Sequence, residues 1–160
     1  TAIMLNPFSK LAFVNRGIIH RALGDNAKAI SDAASALKID PDYAMAYNNR
    51  GFAYSNTGEY DLALADYSKC INIDPKYVQA YINRGLLYSN KGEFEKAILD
   101  YDKAIEIEPS RGIVYYNKAL AHDRLGRGKE ALESYRIFLK YASPDDKTRI
   151  DYAKNRLSGR

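Results

Sequence analysis

Residues 44–77 read AMAYNNRGFAYSNTGEYDLALADYSKCINIDPKY, and the next 34 residues read VQAYINRGLLYSNKGEFEKAILDYDKAIEIEPSR. The two stretches carry Tyr, Gly and Pro at matching places, so the chain repeats with a period of 34 residues. The same period extends in both directions, because prolines recur at Pro7, Pro41, Pro75 and Pro109. A glycine series follows the same spacing at Gly24, Gly58, Gly92 and Gly126.

Each unit has the pattern of two helices joined by a short turn. In the quoted unit, apolar side chains recur at helical spacing over residues 43–54 and again over residues 62–73. Gly58 lies between the two runs, at a place typical of a helix C-terminus. We expect the small residues Gly51 and Ala63 to let the two helices approach closely, because larger side chains would overpack the contact.

The units resemble the tetratricopeptide repeat, whose pattern has an aromatic, Gly, Tyr, Ala, an aromatic, Ala and Pro at fixed places. The second unit matches with Tyr47, Gly51, Tyr54, Ala63, Tyr67, Cys70 and Pro75. The third matches with Tyr81, Gly85, Tyr88, Ala97, Tyr101, Ala104 and Pro109. The outer units depart from the pattern at His20, Ala33, Ala119, His122 and Phe138. The resemblance implies an all-α fold, a TPR solenoid in which antiparallel helix hairpins form a right-handed superhelix.

The period divides the chain into four units and two ends. We predict repeats at residues 10–43, 44–77, 78–111 and 112–144. Residues 1–9 match the end of an earlier unit and are interpreted as its remnant, which favours a fragment of a longer array. Residues 145–160 are predicted to form a C-terminal capping helix, with Ser143 as the N-cap and Pro144 at the first helical position.

The composition argues against several classes of function. Lys and Arg number 24 against 20 Asp and Glu, and this small excess lies in residues 112–160, so we expect no nucleic-acid binding. No apolar stretch is long enough to span a membrane. One Cys and two His provide little for a metal site or for imidazole catalysis, so we predict no enzyme, no metal and no cofactor. The cytoplasm is the favoured compartment.

One column of residues points to a binding function. Asparagine occurs once per unit at Asn15, Asn49, Asn83 and Asn117. An amide offers both a donor and an acceptor, which matches a peptide backbone unit. With the concave groove that the resemblance implies on the first helices, this ladder is predicted to hold an extended peptide. The alternative is structural: each amide only bonds to a neighbouring repeat.

Other positions of the first helices complete the predicted site. Apolar pockets for partner side chains are expected near Ile18, Phe52, Leu86 and Leu120, and Tyr116 is expected to line the groove. The residues that follow the ladder are Arg16, Arg50, Arg84 and Lys118. Either their aliphatic chains pack between helices while the charged groups remain in water, or the charged groups bind a carboxylate. Paired acids such as Asp100 and Asp102 are assigned to charged outer faces.

The favoured function is a protein-interaction scaffold that binds an extended segment of a partner protein or peptide. One alternative is self-assembly into a homo-oligomer through an apolar N-terminal edge, formed by Ile3, Met4, Leu5 and Phe8. Another is the targeting region of a larger enzyme, for example a glycosyltransferase. The family's carboxylate clamp for chaperone C-termini is disfavoured, since Asn49 meets its pattern and the other places hold Val14, Ile18, Gln79 and Asn83.

Overall fold

The structure is a computed structural model that describes residues 9–159. This part of the chain contains nine α-helices and no β-strand, which confirms the all-α prediction. The helices are α1 Lys10–Ala22, α2 Asn26–Ile39, α3 Ala44–Thr57, α4 Tyr60–Ile73, α5 Val78–Asn90, α6 Phe94–Ile107, α7 Gly112–Arg124, α8 Gly128–Tyr141 and α9 Lys147–Leu157. The apolar edge predicted at Ile3, Met4, Leu5 and Phe8 lies outside the described residues.

Glycine ends the first helix of a pair where the chain reverses. Gly58 follows α3 with φ +85°, a left-handed conformation that costs glycine little because it has no Cβ. The next amide, on Glu59, donates to the carbonyl of Tyr54 at 2.9 Å and so satisfies one of the last carbonyls of α3. The same conformation recurs at Gly24, Gly92 and Gly126.

A tyrosine of the first helix is bonded to the proline loop before it. The hydroxyl donates to the carbonyl of the proline six residues earlier, over 2.9 to 3.3 Å. The three bonds are Tyr47 to Pro41, Tyr81 to Pro75 and Tyr115 to Pro109. This bond gives a physical reason for the shared period of the tyrosine and proline series.

Small residues allow the two helices of a pair to pack closely, as predicted. A Cβ added at Gly51 would lie 3.0 Å from the Tyr67 ring and 3.2 Å from the Ala63 carbonyl oxygen. At Gly85 the same atom would lie 2.7 Å from the ring of Tyr101, closer than side chains tolerate. The tyrosines and alanines opposite these glycines are almost fully buried, so the close approach is part of the core.

An ion pair between an arginine and a buried aspartate joins the two helices in each of the first three pairs. The guanidinium of Arg50 donates to both carboxylate oxygens of Asp66 at 2.8 Å, and Asp66 is buried. This carboxylate raises the pKa of Arg50 above its usual value, mainly by accepting these hydrogen bonds. Equivalent two-pronged bonds link Arg16 to Asp32 and Arg84 to Asp100. Each of these arginines therefore binds a carboxylate of its own repeat. Asp100 is buried, so its assignment to an outer face is wrong.

The described residues group into two compact units, one ending at Asn83 and the other beginning at Arg84. In the second unit, α9 packs against α8 and buries Ala153 beside Tyr135 and Phe138. The guanidinium of Arg156 on α9 donates to both carboxylate oxygens of Asp123 on α7, which also accepts from the Tyr135 hydroxyl at 2.9 Å. The helix therefore covers the apolar face of the last helix pair.

The start of α9 differs from the sequence expectation. Ser143 does not cap the helix, which begins at Lys147 after Asp146. Pro144 and Asp145 form a turn instead, in which the Asp146 amide donates to the Ser143 carbonyl at 2.9 Å. A proline inside four residues rich in Asp and Ser suits a turn as well as a helix start, and here the turn is formed.

Candidate functional site

The first unit contains a cleft of about 320 Å³ between α1, α3 and the start of α5, here called the Asn49 cleft. It is lined by Ile18, Arg21, Met45, Asn48, Asn49, Phe52, Tyr77, Gln79 and Asn83. Four of the predicted site residues, Ile18, Asn49, Phe52 and Asn83, thus lie together. The lining combines apolar side chains with four amides and one cation, a composition suited to a peptide that brings both side chains and backbone.

Within this cleft, Asn83 is already bonded to the rest of the chain. Its amide nitrogen donates to Asn48 Oδ1 at 3.0 Å, and its oxygen accepts from Gln79 Nε2 at 2.8 Å. Both Asn83 and Asn48 are buried. A bond between asparagines of adjacent repeats is the structural alternative weighed for the ladder, and Asn83 makes that bond.

Asn49 is in a different situation. Its amide nitrogen Nδ2 is buried and has no hydrogen-bond partner among the described residues. A buried donor left without an acceptor costs about 1–3 kcal/mol, so an acceptor brought by a ligand would be favoured here. Close by, the guanidinium of Arg21 lies 4.1 Å from the ring centroid of Phe52, a cation–π contact that holds both side chains at the cleft.

The second unit contains a smaller cleft of about 220 Å³, here called the Asn117 cleft. It is lined by Leu86, Ser89, Asn90, Phe94, Tyr101, Asn117, Leu120, Ala121 and Arg124. Three more predicted site residues, Leu86, Asn117 and Leu120, come together in it. The Tyr101 hydroxyl at this cleft lies 3.2 Å from Ser89 Oγ, and burial raises its pKa to about 12, so it stays protonated.

Two predicted site residues lie outside these clefts. Asn15 is exposed on α1 and lines neither of them. Tyr116 lies in an aromatic cluster, with its ring centroid 5.1 Å from that of Phe138 and 6.2 Å from that of Tyr152. The four asparagines of the column therefore have different surroundings.

The described residues contain no group of three or more His, Cys, Asp or Glu side chains placed to hold a metal ion. Cys70 is fully buried, and burial raises the pKa of its thiol to about 12, which keeps it in the unreactive thiol form. This agrees with its assignment as a packing residue.

Sequence reasoning missed three features of the structure. The first is a hydrogen-bond network: Asn48 and Gln79 were expected to line the groove, and in the structure both are hydrogen-bonded to Asn83. The constant spacing of 16 residues between each Arg and its Asp was visible in the sequence and signals one pair per repeat. The third feature is another cleft, which is lined by Lys118, His122 and Ser134. Its one signal in the sequence is that Lys118 and Ser134 replace the Arg and Asp of the other repeats.

The paired helices, their interlocking small residues and the clefts on the first helices define an α-helical repeat protein. Sequence profiles of the tetratricopeptide repeat match residues 44–77 and 78–111. A related TPR profile matches residues 17–58, and another tetratricopeptide repeat profile matches residues 113–143. The chain therefore belongs to the tetratricopeptide repeat family.

Solved structures of the same family are similar to this chain. A crystal structure of MamA is 26% identical, with a TM-score of 0.80, and the match covers 91% of this chain and 85% of that one. TTC0263, a thermophilic TPR protein of Thermus thermophilus, is 23% identical with a TM-score of 0.81, covering 98% and 86%. The first TPR of Spaghetti (RPAP3), bound to the HSP90 peptide SRMEEVD, is 22% identical with a TM-score of 0.71, covering 73% and 95%. These matches confirm the TPR solenoid as the fold class.

A comparison with curated protein sequences finds no match to the chain. Among the helices of residues 9–159, none has the length and apolar character needed to cross a membrane. Tetratricopeptide repeat proteins are generally non-enzymatic scaffolds, and the fold supports a role in protein–protein interaction.

Proposed function

We propose that this protein is an interaction scaffold that binds an extended segment of a partner protein in the Asn49 cleft. The observation that carries the proposal is the buried, unpartnered Asn49 Nδ2 within a cleft lined by apolar side chains. A backbone carbonyl of the partner would accept the free hydrogen bond. Apolar partner side chains would pack against Ile18 and Phe52.

The Asn117 cleft is proposed as a second contact point of the same kind. Leu86 is exposed there and Leu120 is half-buried, so apolar surface remains for a partner to cover. Asn117 offers an amide beside these leucines. In this proposal Asn49 and Asn117 contact the peptide, whereas Asn83 holds adjacent helices together and contributes through the shape of the cleft.

The test is a selection of peptides from a random displayed library on the wild-type chain, followed by affinity measurements. Fluorescence anisotropy of selected peptides would compare wild type with Asn49→Ala and Phe52→Ala. We expect Asn49→Ala to weaken binding about 3- to 30-fold, because the partner's carbonyl then loses its donor. Phe52→Ala should weaken it at least as much, since it removes an aromatic wall and frees Arg21.

Asn72→Ala is the matched control. Asn72 is an exposed asparagine on α4, a second helix, and does not line either cleft. Its replacement should leave the affinity unchanged. The proposal fails if no peptide is enriched, or if selected peptides bind Asn49→Ala and Phe52→Ala as tightly as wild type.

A further inference from the structure

The fourth repeat departs from the ion-pair pattern of the other three. In those repeats an arginine guanidinium on the first helix donates hydrogen bonds to a buried aspartate 16 residues later. The equivalent residues of the fourth repeat are Lys118 on α7 and Ser134 on α8. The cation is therefore kept while the carboxylate of the pair is absent from the chain.

A cleft lies where the pair would be, here called the His122 cleft. It has a volume of about 490 Å³. Its apolar lining is Ile98, Tyr115 and Ile137, and its polar lining is Asp102, Lys118, His122, Lys129, Glu130, Glu133 and Ser134. Lys118 Nζ contacts Asp102 of the preceding repeat at 2.6 Å; the side chain of Asp102 is 48% exposed and that of Lys118 is 24% exposed. Water screens the half-exposed carboxylate, so Lys118 can exchange it for another carboxylate at modest cost.

His122 provides the second observation. It is only 7% exposed, it lines the His122 cleft, and its Nδ1 is buried without a hydrogen-bond partner among the described residues. A buried imidazole nitrogen left unpaired is costly, so a ligand that bonds to it is favoured. His122 and Lys118 lie four residues apart and so share one face of α7.

The first repeat shows what such a set of residues surrounds. Arg16 and His20 occupy the places of Lys118 and His122, and both lie beside the buried Asp32. The guanidinium donates two hydrogen bonds to that carboxylate, and His20 Nε2 lies 3.9 Å from it. The cation and histidine of the fourth repeat thus occupy the sequence places that flank a carboxylate in the first repeat.

We propose that the His122 cleft is a binding site for a carboxylate on a short apolar stem, such as a glutamate side chain of a partner. The carboxylate enters the cleft beside Lys118 and Ser134 and accepts from Lys118 and from the Nδ1–H tautomer of His122. The stem packs on Ile98, Tyr115 and Ile137. Glu130, Glu133 and Lys129 also line the cleft and are exposed to solvent, and Glu133 is paired with Arg136 at 3.3 Å. This site does not depend on the Asn49 cleft.

The experiment is an NMR titration that follows the imidazole resonances of His122. The probes are glutamate blocked at both ends as acetyl and amide, the matched neutral glutamine compound, and free glutarate. We expect saturable shifts at His122 with blocked glutamate and none with blocked glutamine. Glutarate binding as tightly as blocked glutamate identifies a small dicarboxylate as the source, and weaker binding identifies a side chain of a protein.

Ser134→Asp supplies the missing carboxylate from the chain itself. It should fill the site, weaken glutamate binding at least about tenfold and leave the melting temperature unchanged or higher. Ser110→Asp adds the same charge at an exposed loop position outside the cleft and should bind as wild type does. If Ser134→Asp does not fold, Lys118→Gln decides, with the same loss expected.

Three results overturn the proposal. The first is the absence of a saturable shift at His122 with blocked glutamate, and the second is an equal shift with blocked glutamine. The third is undiminished glutamate binding by Ser134→Asp or, if that variant does not fold, by Lys118→Gln.

Discussion

At the scale of single residues, the close steric contact at Gly85 carries the first stability prediction. A Cβ at this position would lie 2.7 Å from the ring of Tyr101, which is fully buried. Gly85→Ala should lower the free energy of unfolding by about 1–3 kcal/mol, as overpacking does. Chemical denaturation followed by circular dichroism measures this.

Gly128→Ala is the control for that change. Gly128 begins α8, and a Cβ there would have no neighbour within 4 Å. Alanine is the better helix former, so stability should stay the same or rise by up to about 1 kcal/mol. Equal losses in both variants would show that the contact with Tyr101 is not what makes glycine necessary at position 85.

His122 carries a prediction about pH. Burial, with a smaller contribution from Lys118, lowers the pKa of His122 below its usual value of about 6.5, while Glu130 and Asp102 oppose the shift. The unfolded chain therefore binds a proton before the folded one does. The stability contributed by neutral His122 is present above about pH 6.5 and is lost as the pH falls through the folded pKa.

The measurement compares wild type with His122→Tyr, which restores the residue of the second and third repeats. Between about pH 8 and pH 5 the wild type should lose more of its free energy of unfolding than the variant. Parallel pH profiles for the two proteins would contradict the prediction.

At the scale of helices, the Arg–Asp pairs decide how strongly the two helices of a repeat are joined. Arg50→Ala leaves Asp66 buried without its partner and should cost about 2–4 kcal/mol of stability. Arg136→Ala is the matched control, because Arg136 and Glu133 are both more than half exposed and should cost less than about 0.5 kcal/mol. Thermal unfolding of both variants is the test, and equal effects would refute it.

The helices themselves were largely predictable, since packing and turn residues recur with one period. The predicted run 43–54 begins one residue before α3. The helix continues to Thr57 because Gly58 ends it, and the polar residues before Gly58 carry no apolar signal. The start of α9 was not predictable, since Ser143 and Pro144 suit a turn and a helix start equally. The burial of Asp100 was missed because a charge was assigned to the surface without a search for its partner.

The candidate site was predictable in its composition and less so in its detail. Seven of the nine predicted site residues line the Asn49 cleft or the Asn117 cleft, because they come from two places that recur in every repeat. It did not separate Asn83, which bonds to Asn48, from Asn49, whose Nδ2 is unpartnered. That difference depends on neighbouring side chains in space, which a column of identical residues does not show.

At the scale of the whole molecule, the basic excess of residues 112–160 bears on nucleic acids. Eleven Lys and Arg face six Asp and Glu there. Several of the cations are paired with acids in the structure, at Lys118, Arg127, Arg136, Arg149 and Arg156. We therefore expect no binding to labelled RNA or DNA in fluorescence anisotropy at low salt. Binding that falls steeply with added salt would contradict this expectation.

The ion pairs of the first three repeats also bear on how such a chain changes in length over evolution. Arg50 and Asp66 belong to one repeat, so a duplication of 34 residues copies both partners and adds no net charge through them. The tyrosine of the next repeat finds its carbonyl acceptor at the proline that closes the copied one. Unequal recombination between repeats can thus add or remove a unit without leaving a buried carboxylate unpaired.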